Sequence, residues 1–219
     1  MASGFPGSID NFTDPLTTSA LNSPSHAGQH QDLNDAVEKI ETYMGLVKVI
    51  PTAATNGTVG ATGTVTIGNA VSSVTVSGAF SSLYDAYKIV ISGGTGSVAM
   101  DLQLSLTGSS TGYYSGLMYV AYGSIGTVNA QGVGSGNAAS WIYAGNGGTS
   151  TLGMNVDLNG PYLAKVTGMS GGDVVVNTSG SVAFTSGFHN VATSYTGFTV
   201  TASTGTMTGG TIRVYGYRN

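Results

Sequence analysis

The chain has 219 residues, 35 of them glycine and none cysteine, with 7% charged residues and a net charge of −4. Six basic residues are too few for the Lys/Arg footprint that nucleic acid demands, and no apolar run approaches the ~20 residues of a membrane-spanning helix. Disorder needs low hydrophobicity together with high net charge; with 41% hydrophobic residues, a packed body is expected instead.

Charge is unevenly placed. Residues 1–48 hold six acids and two bases, which is the whole net charge, and the four acids and four bases of the remainder cancel. The chain therefore divides into a short acidic lead and a long, nearly uncharged, Gly/Ser/Thr-rich body. Such a body lacks the surface charge that keeps an isolated domain soluble, which predicts that it is held in an assembly. Met1–Gly7 has neither a basic start nor an apolar run, so no signal peptide is read there. Together with the absence of cysteine, this points to synthesis and folding in a reducing cytoplasm.

Residues 1–23 are predicted to be an extended arm. Gly4, Pro6, Gly7 and Pro15 interrupt it, and its apolar residues Phe5, Ile9, Phe12 and Leu16 stand singly with no helical period. An arm of this kind cannot form its own core, so it is expected to anchor by docking on a neighbouring chain, with packing on the chain's own body as the alternative.

Residues 24–45 are predicted to be an oligomerisation helix. Ser23 and Pro24 suit the N-cap and N1 positions. His26, His30, Leu33, Val37, Ile40 and Met44 then recur at alternating steps of four and three, the a/d seam of a coiled coil. Asp35 and Lys39 form an acid-before-base pair at i,i+4, and Gly45 suits the C-terminal end. A helix this short gains most of its stability by packing its apolar stripe, here on copies of itself or, alternatively, on the chain's own β-domain. β-branched Val37 at a and Ile40 at d favour a homotrimer. His26 and His30 also have a spacing that can hold a metal, but no third ligand lies nearby, so neither metal nor cofactor is expected.

Residues 46–219 read as β-structure. Met100, Leu102, Leu104 and Leu106 alternate with polar residues, as do Met154, Val156 and Leu158, and then Ile212 and Val214. This period of two marks half-buried antiparallel strands. Further strands are predicted at 46–50, 63–67, 71–77, 86–92, 114–122, 138–144, 162–168, 181–188 and 195–202. Residues 51–63 are read as a linker or a first edge strand. Glycine pairs punctuate the strands, Gly171–Gly172 among them. Ten to twelve short strands at this spacing predict an antiparallel β-sandwich of jelly-roll type.

Catalytic patterns are weak. Asp101 and Asp157 fall on the polar phase of their strands and are expected to face solvent, so no pair of carboxylates flanks a scissile bond in the manner of a glycosidase. Gly168-Met169-Ser170-Gly171-Gly172 matches the nucleophile-elbow pattern, but strand-like residues follow it where a helix is needed. Gly132–Gly136 lacks the lysine of a phosphate loop. Tyr113, Tyr114 and Trp141 are the better candidates for contact with a partner or a sugar ring, since Tyr and Trp offer flat amphipathic faces. Packing inside the sandwich is the competing reading of the same rings.

The stretch Ser25-His26-Ala27-Gly28-Gln29-His30-Gln31-Asp32-Leu33-Asn34-Asp35-Ala36-Val37-Glu38-Lys39-Ile40-Glu41 resembles a helix near the N-terminus of many tailed-bacteriophage virion proteins, where it precedes a β-rich body. The arm Phe5-Pro6-Gly7-Ser8-Ile9-Asp10-Asn11-Phe12 is similar to their lead segment. Leu83–Ile91 and the closing Gly210–Tyr217 resemble their β-domains in style. The resemblance implies a non-enzymatic structural protein of the virion surface: a capsid decoration protein, head fibre, tail fibre or minor tail protein. It implies partners among other capsid or tail proteins. A receptor-binding module for host surface glycan is the alternative, and a capsule depolymerase a more distant one.

Overall fold

The computed structural model describes residues 26–43, 45–121, 130–175 and 181–218. Arm residues Phe5, Ile9, Phe12 and Leu16, seam residue Met44 and the side chain of His26 lie outside what is described. The chain divides into two units, a lead through Gly45 and a β body from Leu46 to Tyr217.

In the lead, α1 (His26–Tyr43) is an 18-residue helix. Gly45 follows at φ +63°, the left-handed conformation that commonly ends a helix and that glycine adopts without strain. Leu33, Val37 and Ile40 are 55%, 45% and 42% exposed. One stripe of the helix is thus apolar and uncovered.

The body begins with four three-residue strands, β1 (Leu46–Lys48), β2 (Ala53–Thr55), β3 (Gly57–Val59) and β4 (Val65–Ile67). Then come β5 (Ser73–Ser77), β6 (Ala86–Gly93), β7 (Thr95–Gly96), β8 (Met100–Leu106) and β9 (Tyr113–Ala121). They are followed by β10 (Ala130–Ala138), β11 (Trp141–Gly147), β12 (Leu152–Asn159), β13 (Thr167–Val175) and β14 (Ser181–His189). The chain closes with β15 (Phe198–Ala202), β16 (Met207–Thr208) and β17 (Thr211–Tyr217).

All pairings are antiparallel. β17 lies against β6 on one edge and against β1 and β4 on the other. β6 pairs with the whole of β12. At the far edge of β12 the ladder forks: residues 152–154 pair with β11 and residues 156–159 with β13. One branch continues β11–β8–β15–β5–β2, the other β13–β14–β9–β10.

The period-two pattern is what builds the core. β8 alternates buried and half-buried residues along its length, and β6, β12, β15 and β17 do likewise. Their inward side chains join one buried cluster that includes Leu104, Val200, Ile89, Val156 and Val214. Phe80 links the two strand sets, its ring 4.8 Å from Tyr87 of β6 and 5.7 Å from Phe198 of β15. The Tyr87 hydroxyl accepts from Ser81 N–H at 2.7 Å and donates to its carbonyl at 2.8 Å, which fixes the loop that carries Phe80.

Among the described residues the body has seventeen strands where ten to twelve are expected, and several segments depart from the sequence reading. Residues 138–144 span the end of β10 and the start of β11, with a register shift between Ser135 and Ala138. Residues 162–166 form turns after Gly160, which has φ +74°, and strand begins only at Thr167. Gly171–Gly172 is no turn but the middle of β13, because a Cβ at Gly171 would run into the Asn155 carbonyl and the Val156 side chain of the neighbouring strand.

Candidate partner-binding face

The branch β10–β9–β14–β13 has two unlike faces. Alternation places odd-numbered residues of β9, β13 and β14 on the inward side and even-numbered ones outward, and burial follows that parity over residues 167–172 and 182–189 and from Tyr113 to Ser115.

The inward face takes two of the three predicted aromatic contacts. Tyr113 and Trp141 are fully buried and meet edge-on, ring centroids 5.0 Å apart. The Tyr113 hydroxyl accepts from Leu106 N–H at 2.7 Å, and burial raises its pKa although hydrogen bonds to Ser109 and Leu106 oppose the shift. Trp141 pairs in register with core residue Leu104, which fixes its side. Neither ring presents a face to a ligand. Tyr114, of opposite parity, remains half-exposed and stacks on Phe188 at 4.8 Å with 9° between the planes.

His189 lies buried in the same inward layer, its ring 4.3 Å from Tyr113. Its Nε2 is 3.0 Å from the Thr111 carbonyl and 2.8 Å from Ser109 Oγ, while Nδ1 is buried with no hydrogen-bond partner among the described residues. A carbonyl only accepts, so Nε2 carries the proton and the Ser109 hydroxyl accepts from it, itself donating to Thr111 O at 3.3 Å. That is the reverse polarity of a nucleophile and its base, and among the described residues no carboxylate orients Nδ1. Ser170, from the elbow-like motif, sits mid-strand on the outward parity, away from the His189 side.

Burial lowers the His189 pKa, opposed by the Thr111 hydrogen bond. The unfolded imidazole titrates near ~6.5, so the unfolded chain binds the extra proton first and stability falls as pH drops below that value. Asp101 works the other way: burial raises its pKa, partly offset by a hydrogen bond from Asn146, so its contribution grows as pH falls. We therefore predict that urea unfolding between pH 7 and 5 loses up to ~1.4 kcal/mol per pH unit more in the parent than in His189→Gln. Equal slopes in the two proteins would contradict a neutral buried imidazole.

The acids do not converge. Asp157 receives Lys88 Nζ at 3.4 Å and the Tyr217 hydroxyl. That hydroxyl is pushed up to about 12, by burial first and then by its bond to the carboxylate and the carboxylate's charge. Asp101 lines a separate small space with Asn146 and Thr185. Contrary to the solvent-facing expectation, Asp157 is paired and Asp101 is half-buried. Among the described residues, no three His, Cys, Asp or Glu side chains gather as metal ligands.

The outward face is the feature that sequence reasoning missed. Met118 and Phe184 are paired across β9 and β14 and are 69% and 60% exposed. Gly132 and Gly172 extend that row onto the outer strands. The next row holds Gly134, Gly116, Ser186 and Ser170, and beyond it stand Tyr114 and Phe188. The surface is therefore ridge, trough, ridge, with about 480 Å³ of open space over the trough. No Asp, Glu, Lys or Arg occupies these positions. The signal was present in the even-numbered residues of 114–120 and 182–188, but Gly132–Gly136 reads as loop until its pairing with β9 is known.

The glycines of the two faces differ. A Cβ at inward Gly187 would run into the Tyr114 carbonyl, so the fold itself requires glycine there. Outward Gly116, Gly132, Gly134 and Gly172 would meet nothing closer than 3.6 Å, and none has positive φ. Among the described residues, nothing requires glycine at these four positions. Strand-interior glycine weakens a sheet and often marks the close approach of another backbone.

No family model matches the chain, and neither a curated protein nor a solved structure is detectably similar to it.

Proposed function

We propose that the chain is a non-enzymatic structural protein of a tailed-phage particle. In this reading it is a trimeric surface appendage, either a capsid decoration or head fibre or a tail fibre. Residues 1–23 anchor it to other virion proteins, α1 trimerises it, and the body projects as an antiparallel sandwich of jelly-roll type. The order β5–β15–β8, in which a late strand lies between two early ones, supports that topology. The likeness of residues 5–45 to phage virion proteins supports the particle.

One observation carries the oligomeric part. Leu33, Val37 and Ile40 lie at a/d spacing on α1 and are all exposed, so an 18-residue helix of marginal intrinsic stability has its stabilising stripe uncovered. Copies of the same helix cover it. A buried aspartate in that seam would have to be desolvated without a counter-charge. Val37→Asp is therefore expected to convert trimer to monomer at micromolar concentration by light scattering, with the body still folded. A Val37→Asp protein as trimeric as its parent would contradict the seam. Particles imaged with and without the protein are expected to differ by density at the shell or tail surface.

A further inference from the structure

We propose that Asp101, Asn146 and Thr185 form a binding site for one hard cation of the calcium class, set where the two branches of the forked ladder face each other. Asp101 and Asn146 are in-register neighbours on β8 and β11, and Thr185 belongs to β14 of the other branch. The three line one small space of about 20 Å³, with Leu117 and Ala183 beside them. That is room for a water-sized occupant. The site lies within one copy of the body and needs no trimer.

The polar atoms around this space are incompletely satisfied. Thr185 and Asn146 are 3% and 9% exposed, and Thr185 Oγ1 and Asn146 Oδ1 are buried with no hydrogen-bond partner among the described residues. Buried oxygens of this kind are ordinarily partnered in a folded protein. The Asn146 amide is fixed by its Nδ2, which donates to the Met100 carbonyl at 3.0 Å. Asp101 stands half-buried beside it and receives a hydrogen bond from Asn146. Among the described residues, no Lys, Arg or His pairs with that carboxylate.

What these atoms lack decides the occupant. A water molecule satisfies the two neutral oxygens but leaves the half-buried carboxylate without a counter-charge, which is costly. A cation supplies both the partner and the charge. Carboxylate, amide carbonyl and hydroxyl oxygens suit calcium, which takes flexible oxygen coordination completed by water, whereas magnesium demands a near-ideal octahedron. Neither sulfur nor imidazole is present for zinc. With a single carboxylate the site is weak, its dissociation constant on the order of 1 mM. A cation held there ties β8 and β11 to β14 across the fork.

Urea titration of the full chain, stripped of metal with EDTA and dialysed, tests the site. In calcium chloride at about ten times that constant, the parent's folded-to-unfolded ratio is expected to rise about tenfold over its value in sodium chloride of equal ionic strength. Asp101→Asn removes the charge and Thr185→Val removes one ligand oxygen, and each is expected to respond less than about twofold. Thr185→Val also deletes an unpaired buried hydroxyl, so without calcium it is expected to be at least as stable as the parent. It therefore keeps the test decisive should Asp101→Asn not fold. A parent that responds no more to calcium than to sodium overturns the site, and water alone then fills the space. A calcium response kept in full by either variant overturns it as well, because the ion then binds elsewhere.

Discussion

Trp141→Ala is expected to lower the unfolding free energy of the β body by about 3–5 kcal/mol, the usual cost of removing a buried large aromatic. Domains of this kind hold about 5–15 kcal/mol in total, so roughly a fifth of the stability or more goes. The indole is fully buried and edge-on to Tyr113, and it lies over Gly187, where a Cβ would be 2.9 Å from Trp141 Cδ1. Its Nε1 is buried with no hydrogen-bond partner among the described residues. Trp141→Phe keeps an aromatic ring and removes that unpaired donor, so it is expected to cost less than about 1.5 kcal/mol. Urea titrations of the three proteins measure the difference. Near-equal stability of Trp141→Ala and the parent would mean that the ring is on the surface, as a sugar-binding role would require.

Gly187→Ala is expected to cost about 3 kcal/mol, at the upper end for overpacking. The added methyl would meet the Tyr114 carbonyl and the indole at once. One of those neighbours is backbone held in the β9–β14 ladder, and the other is wedged in the core. Neither can turn aside as a flexible side chain does. Gly116→Ala, one row away and of opposite parity, meets no such obstacle and is expected to leave the urea midpoint within about 0.5 kcal/mol in equivalent free energy. The contrast between two glycine-to-alanine changes in paired strands measures the two-faced character of this branch directly.

Much of the fold could be read from alternation. Met100–Leu106, Met154–Leu158 and Ile212–Val214 form strands with the inward residues that the pattern marks. The helix was legible from its three- and four-residue steps and from Gly45. Where the reading failed, a neighbouring strand had overridden local chemistry. Gly171–Gly172 carries turn residues, yet glycine there serves the close approach of β12. Gly132–Gly136 looks like loop, yet β9 offers it a full ladder. The aromatics divide for a simpler reason: Tyr113 and Tyr114 are adjacent in a strand and must point to opposite faces, so only one of them could ever have met a ligand. Which one is decided by the register of β11 against Leu104 and of β14 against β9, and those pairings join residues far apart in sequence. The outward face was hidden for the same reason, since its ridges and trough exist only once four strands are aligned.

Self-association through the apolar stripe of α1 has one decisive signature, the mass of the 219-residue chain in solution. Light scattering at micromolar concentration is expected to give a dominant species of three times the 21.9 kDa chain mass. A clean monomer would rule out the trimer.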